Sequence, residues 1–385
     1  MRALLKERMI GRMLTTYLLI GHATSEAISN AVPRTDTTGK ILLIGPATSE
    51  VISNVVPRTD TTGKIMDAHD SKIVFKDGLY HWFAASYGLC SEPANTTNGC
   101  ATVGVGNCGF ATDHNVTLFT SPDLHTWTDA GVVFGATGNL PPSSVLFAPK
   151  TVYNAETSSW IMWFNYIVGD FKHSYYGVAT STSAAGPFTL AVAQVNTTRY
   201  SDNGDENLFV DTDGSGYMIY TSIEEGHGVS VERMTPDFLG TLGATASSGI
   251  IGAGGVEAPA MFKRGEIYYV VFGGCCCYCG SGSPVTVYSA TSPLGPYTKR
   301  TSLGNLMSQA TDIFAYTDAS GAEQFMYVGD HWQSAPDGIK GHDFTVWAPI
   351  HFDATGTSIT TSGFEANFTV SVKTPSTTEV TRTSR

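Results

Sequence analysis

The 385-residue sequence predicts an all-β fold, a five-bladed β-propeller, on three observations. Five runs of alternating aromatic and aliphatic residues recur after turn signals: DGLYHWFAAS (77–86), SSWIMWFNY (158–166), GSGYMIYTS (214–222), GEIYYVVFGG (265–274) and AEQFMYVGD (322–330). Their period of two and their β-branched and aromatic content mark strands. The first four are each followed by an element with a Ser/Thr-Pro or Gly-Pro turn: TSPDLHTWTDAG (120–131), TSTSAAGPFTL (180–190), RMTPDFLGTLG (233–243) and TSPLGPYTKR (291–300). No stretch carries a long helical period. Units of roughly 50 to 60 residues, each with several strands, read as propeller blades. A β-sandwich also holds short strands, but recurrence of one strand–turn unit favours radial repetition. The first unit is longer because residues 88–112 insert a Cys-, Gly- and Asn-rich loop.

The propeller is expected over residues 66–370, after a lead-in (1–65) and before a tail (371–385). Residues 21–41 read GHATSEAISNAVPRTDTTGKI and residues 45–65 read GPATSEVISNVVPRTDTTGKI. Two such copies without a core-forming pattern are not a solenoid, and the first is expected to be peripheral. Residues 1–20 are basic, with an apolar patch too short to span a membrane and no clean cleavage site. No other stretch reads as a membrane span. The Ser/Thr-rich tail lacks apolar periodicity and reads as a linker or disordered stub.

The formal net charge is −12, and no Lys/Arg cluster exists to neutralise phosphates, which argues against a nucleic-acid surface. A neutral polysaccharide is compatible, because it is bound by aromatic platforms and hydrogen bonds. The seven cysteines fall in two groups: Cys90, Cys100 and Cys108, then Cys275, Cys276, Cys277 and Cys279. Neither group supplies the paired C-x2-C units of a zinc site, so disulfides with one cysteine left over are expected. Sequons begin at Asn95, Asn115, Asn196 and Asn367. Together these features predict a secreted, monomeric glycoprotein.

A propeller brings the first strand of every blade to one axis, so acids far apart in sequence can meet. Glycosidic cleavage needs two: one protonated, to give a proton to the leaving oxygen, and one ionised, to activate water or attack carbon. Asp70 in DAHDSKIVFKDGLY, Asp205 in NGDENLFVDTDGSGY and Glu257 in GGVEAPAMFKRGEIYY each precede an apolar strand. They are expected at equivalent first-strand positions, facing the axis. An Asp before a strand is often a turn cap, and that reading suits Asp77, Asp211, Asp213 and Glu266. Glu257, between Gly-Gly-Val and Ala-Pro-Ala, serves no turn. Trp163, Tyr278 and Trp332 are candidate stacking platforms, each with a blade-core role as the alternative. His69 and His331 could line the axis.

Residues 66–355 resemble glycoside hydrolase family 43, the five-bladed clan of arabinanases, and within it the exo-β-1,3-galactanase branch. The likeness rests on HDSKI, GDENLFVDTDG, VEAPAMFKRGEIYYVVFGG, SQATDIF and YVGDHW. It implies Glu257 as general acid, Asp70 as general base and Asp205 as the acid that raises the pKa of Glu257. It implies inversion at the anomeric carbon. The galactanase branch usually has glycine where Asp70 stands and uses a glutamine instead, which matches Gln309. This chain keeps both, with Asp70 as the simpler base and Gln309 as the alternative base or a holder of water or substrate. The branch also carries a substrate-contacting Glu just before its Arg-Pro-Lys. Here LFAPKTVYN puts Phe147 in that position, ahead of Lys150, and leaves β-1,3-galactan open against α-L-arabinofuranosides and β-xylosides. No cofactor is implied. Some relatives place calcium on the axis, but neither His69 nor His331 has a companion ligand set in the sequence. A silent carbohydrate-binding propeller is the rival outside enzymology, and the intact acids argue against it.

Overall fold

The computed structural model describes residues 32–35, 41–44, 48–92, 104–169, 173–199, 203–223, 226–252, 254–274 and 278–373. The first repeat copy up to residue 31, the sequon at Asn95, Cys100, the Cys275, Cys276 and Cys277 run and the tail from 374 lie outside them. An antiparallel pair, β1 (Val32–Thr35) and β2 (Ile41–Ile44), precedes β3 (Thr48–Ser53). Four four-stranded antiparallel sheets follow. Blade one is β4 (His69–Lys76), β5 (Leu79–Ser86), β6 (Asn115–Ser121) and β7 (Thr128–Gly135). Blade two is β8 (Ser144–Asn154), β9 (Ser159–Val168), β10 (Ser174–Ser181) and β11 (Thr189–Val195). Blade three is β12 (Asn203–Val210), β13 (Gly216–Ser222), β14 (Gly228–Arg233) and β15 (Ser247–Ile251). Blade four is β16 (Val256–Arg264), β17 (Ile267–Gly274), β18 (Pro284–Ala290) and β19 (Thr298–Asn305). Blade five has three strands, β20 (Gln309–Thr317), β21 (Glu323–His331) and β22 (Phe344–Pro349), before the hairpin β23 (His351–Phe352) and β24 (Ile359–Thr360). The last strand is β25 (Asn367–Val372).

The five recurring apolar runs are the second strands β5, β9, β13, β17 and β21. Each is paired on both edges and covered on both faces by neighbouring blades, which is why its side chains are apolar almost without interruption. The Pro-containing turns join third strand to fourth in blades one to four. Trp163 belongs to this inter-blade core. It is fully buried among Tyr176, Met218 and Tyr220, and its indole N–H donates to Phe238 O at 2.8 Å. It is therefore not a stacking platform for substrate.

The ring closes through the second repeat copy, which is not the lead-in outside the propeller that its sequence suggested. Its strand β3 pairs antiparallel with β25, and Ile52 is buried with Val370, Val372 and Trp347 between blades one and five. Val372, expected in the tail, completes that pair. Asn54 then fastens the segment to blade five. Its Nδ2 donates to Trp347 O at 2.8 Å and Glu365 O at 2.9 Å, and its Oδ1 accepts from Trp347 N at 2.8 Å. Arg58 covers the Trp347 ring at 4.3 Å. Replacing Asn54 by Ala strands buried backbone groups of β22, each costing about 1–3 kcal/mol. The expected outcome for Asn54→Ala is a loss of about 2–4 kcal/mol in urea unfolding, with the native circular dichroism retained.

Candidate active site

The first strand of each blade lines the axis, and a one-residue bulge interrupts its pairing with the second strand. Regular pairing resumes at Lys72, Lys150, Glu206, Ala260 and Asp312. Three residues earlier, in matching positions, stand His69, Phe147, Asn203, Glu257 and Gln309. Asp70, Asp205 and Glu257 thus lie on first strands of three blades, but their positions are not equivalent. Glu257 precedes the bulge, Asp70 stands one residue further along its strand, and Asp205 two.

Bulge geometry explains how Asp70 is presented. Its φ of 49° lies in the left-handed region, which Asp tolerates better than most residues and glycine adopts freely. The backbone is held there from two sides. Asp70 N donates to Asp330 Oδ2 at 2.8 Å, and Lys150 Nζ donates to Asp70 O at 2.9 Å. Its carboxylate Oδ2 accepts from Tyr87 Oη at 2.5 Å. Burial and then the charge of Asp330 push the Asp70 carboxyl up, while the Tyr87 hydrogen bond, Lys150 and His69 pull it back.

Asp205 and Glu257 meet at Gln309. Its Nε2 donates to Glu257 Oε1 at 3.1 Å and to Asp205 Oδ2 at 3.3 Å. Its Oε1 accepts from Trp332 Nε1 at 2.8 Å, which fixes the orientation of the amide. Gln309 is thus a donor to both acids, and its oxygen accepts from Trp332. Burial first, then the charges of Glu257 and Asp70, hold Asp205 well above the usual carboxylate range.

The remaining candidates separate into wall, support and exterior. Phe147 is half-buried at the wall, with its ring 5.5 Å from Phe110 of the inserted loop and 5.9 Å from His114. Tyr278 is buried beside it, and its Oη donates to Gly109 O at 2.6 Å. Trp332 is only 1% exposed. Its ring meets Tyr278 edge-on at 4.9 Å, and Lys340 Nζ covers it at 3.8 Å. With its face taken by Lys340, Trp332 is a support for Gln309 and not a sugar platform. His69 is fully buried and out of substrate's reach, with Nδ1 3.3 Å from Asp330 Oδ1 and Nε2 3.7 Å from Asp67 Oδ1. His331 follows Asp330 on β21, so it points to the opposite face, where its ring meets Phe364. It does not line the axis. Among the described residues no group of three or more His, Cys, Asp or Glu could hold a metal ion.

Sequence reasoning missed Tyr87, Asp330 and Lys340. Asp330 was within view, in the YVGDHW motif, two residues before Trp332. Tyr87 and Lys340 lie in loops with no periodic signal.

The buried His69 gives a pH signature. Burial lowers its pKa, but the Asp330 hydrogen bond and the charges of Asp330, Asp67 and Asp343 outweigh this and push it up to about 9. A histidine at its ordinary 6.5 when unfolded and about 9 when folded stabilises fully below pH 6.5 and loses that contribution as pH rises through 9. The thermal midpoint is expected to fall between these pH values in the wild type, and by clearly less in His69→Gln.

The chain matches the model of glycosyl hydrolases family 43 over residues 105–332. It is 30% identical over 271 residues to β-D-galactofuranosidase xynD of Aspergillus niger, covering 64% of this chain and 75% of that protein. Its fold is similar to 1,3Gal43A, an exo-β-1,3-galactanase from Clostridium thermocellum, at TM-score 0.69 and 24% identity, covering 84% of this chain and 67% of that one. It is also similar to a family 43 β-1,3-galactosidase at TM-score 0.67 and 24% identity, covering 83% of this chain and 64% of that one. The chain therefore spans slightly under two thirds of the galactosidase's length, and at these identities the structural likeness speaks for the fold. On the family match and the relative at 30% identity, this chain belongs to glycosyl hydrolases family 43.

Proposed function

We propose that the protein is an inverting glycosidase that removes terminal β-linked galactosyl residues from a cell-wall or plant-type polysaccharide. The observation that carries this reading is the meeting of Asp205 and Glu257 at one Gln309 amide, with Asp70 presented from blade one. Galactose is the element common to the relatives' names, one a galactofuranosidase and one a β-1,3-galactanase. Glu257, beside Asp205 at the Gln309 amide, delivers a proton to the glycosidic oxygen. Asp70 takes a proton from water as that water attacks the anomeric carbon from the opposite face. The bond to the leaving oxygen breaks as the new one forms, and the anomeric configuration inverts. No cofactor enters these steps. Asp70 is preferred to Gln309 as base because a carboxylate is far more basic than a neutral amide, and Gln309 turns its NH2 toward the two acids.

Phe147 favours a second reading within the galactosides. An apolar ring beside Phe110 stands where the galactanase resemblance calls for a carboxylate. It removes a hydrogen-bond acceptor from that position, and a relative named as a galactofuranosidase supports a furanoside as the alternative substrate. Kinetics on 4-nitrophenyl β-D-galactofuranoside, 4-nitrophenyl β-D-galactopyranoside and β-1,3-galactan test both readings. Glu257→Gln should lose about 10²–10⁴-fold in kcat on glycan and far less on the nitrophenyl glycosides, whose leaving group needs little protonation. Asp70→Asn should lose activity on both kinds of substrate. Equal loss by Glu257→Gln on both contradicts its role as acid.

Secretion is part of the proposal. Support comes from the Cys90–Cys108 disulfide, which persists in an oxidising compartment. Asn196 and Asn367 are exposed, whereas Asn115 lies within β6, a strand paired on both edges. Mass spectrometry of protein secreted from a eukaryotic host should find glycans on Asn196 and Asn367 and none on Asn115.

A further inference from the structure

We propose that Tyr87 is the positioning residue of the base: its hydroxyl binds one oxygen of Asp70, fixes that carboxylate's rotamer and favours its ionised form. This rests on the reading of Asp70 as base.

The site surrounds Asp70 with groups of both signs. On its own strand stands His69, and on β8 Lys150, whose Nζ holds the Asp70 carbonyl. Asp330 comes from β21 and Asp205 from β12, and both carboxylates oppose ionisation of Asp70. Behind Tyr87 stand His114, with ring centroids 4.6 Å apart, and Tyr278, at 5.8 Å. Lys340 lies 5.6 Å over the Tyr87 ring. Among these groups only Tyr87 donates to the Asp70 carboxylate itself. A buried carboxylate with two acidic neighbours would otherwise favour its protonated form and could not accept a proton from water.

The proton count supports the direction of donation. Tyr278 has one hydroxyl proton, and it goes to Gly109 O at 2.6 Å. Its oxygen stands 3.3 Å from Tyr87 Oη. The Tyr87 proton is thus free to go to Asp70 Oδ2, 2.5 Å away. Oδ2 is then occupied, and Oδ1 remains to take the proton of the attacking water. Tyr87 itself cannot rotate away. Its N–H donates to Asp67 Oδ1 at 2.9 Å, and its ring is 2% exposed between His69, His114, Tyr278 and Trp332. The same packing ties the base to the inserted loop, because the Cys90–Cys108 bridge anchors the stretch whose Gly109 carbonyl receives Tyr278. A Cβ at Gly109 would meet the Tyr278 ring at 2.9 Å, so that approach requires glycine.

The test compares Tyr87→Phe, Asp70→Asn and the double variant on the two 4-nitrophenyl β-D-galactosides, with carboxyl titration by NMR on ¹³C-aspartate protein. Tyr87→Phe keeps the ring and removes only the hydroxyl. Losing one donor to an anion raises its pKa, so the acidic limb of kcat/KM should move up by about one pH unit. At pH 5, kcat should fall about tenfold, with KM changed less than twofold. The Asp70 resonance, identified by its absence from Asp70→Asn, should titrate higher in Tyr87→Phe by the same amount. In the Asp70→Asn background, Tyr87→Phe should cost nothing further. An unmoved acidic limb and an unmoved Asp70 titration overturn the role of Tyr87. Wild-type activity in Asp70→Asn instead overturns the reading of Asp70 as base, and the NMR titration still decides whether Tyr87 holds its proton affinity.

Discussion

A buried ammonium organises the centre of this propeller. Lys150, only 2% exposed, spends its three donors on the carbonyls of Asp70 at 2.9 Å, Ser71 at 2.8 Å and Thr311 at 2.9 Å. One side chain of blade two thereby fastens the bulges of blades one and five. Burial lowers its pKa, while Asp312, Asp70 and Glu206 raise it again, so carboxylates and lysine stabilise one another's charged forms. A second lysine repeats the device beside it: Lys72 Nζ reaches Asn207 Oδ1 at 2.9 Å and Asp312 Oδ1 at 3.0 Å. Removing either partner of such a buried pair leaves a desolvated charge, which is why the axis tolerates these groups only as a set.

Around that core the acids acquire unequal environments. Asp205 and Glu257 share a neutral amide donor, and burial favours the protonated form of Asp205. Asp70 faces two cations and a phenol. Acid–base cleavage of an acetal needs one protonated and one ionised carboxyl; burial and Asp330 raise the Asp70 pKa, and Tyr87, Lys150 and His69 act against that rise. The aromatic wall of Tyr87, Tyr278 and Trp332, backed by Lys340, acts mainly on orientation: it aims Gln309 at one pair and Tyr87 at the other.

Much of this was legible in the sequence. The five apolar runs were readable because each is a central strand covered on both faces, and Asp70, Asp205 and Glu257 because strand starts converge in a propeller. Their inequivalence was not readable. It depends on a one-residue bulge that no residue type announces, and the bulge makes Glu257 and Gln309 occupy matching positions in adjacent blades. Trp163 and Trp332 stayed open between platform and core because an aromatic in an alternating strand has the same pattern whether it faces sugar, core or a lysine. The second repeat copy looked coreless, since a closing strand contributes one deeply buried residue, Ile52, and gains the rest from β25.

The central claim is that Asp70 activates water on the face opposite Glu257. Proton NMR of the first sugar released from a β-galactoside tests it most directly, before mutarotation scrambles the anomers. The α-anomer is expected as the initial product. Initial release of the β-anomer would contradict it, because retention requires a carboxylate that attacks carbon itself.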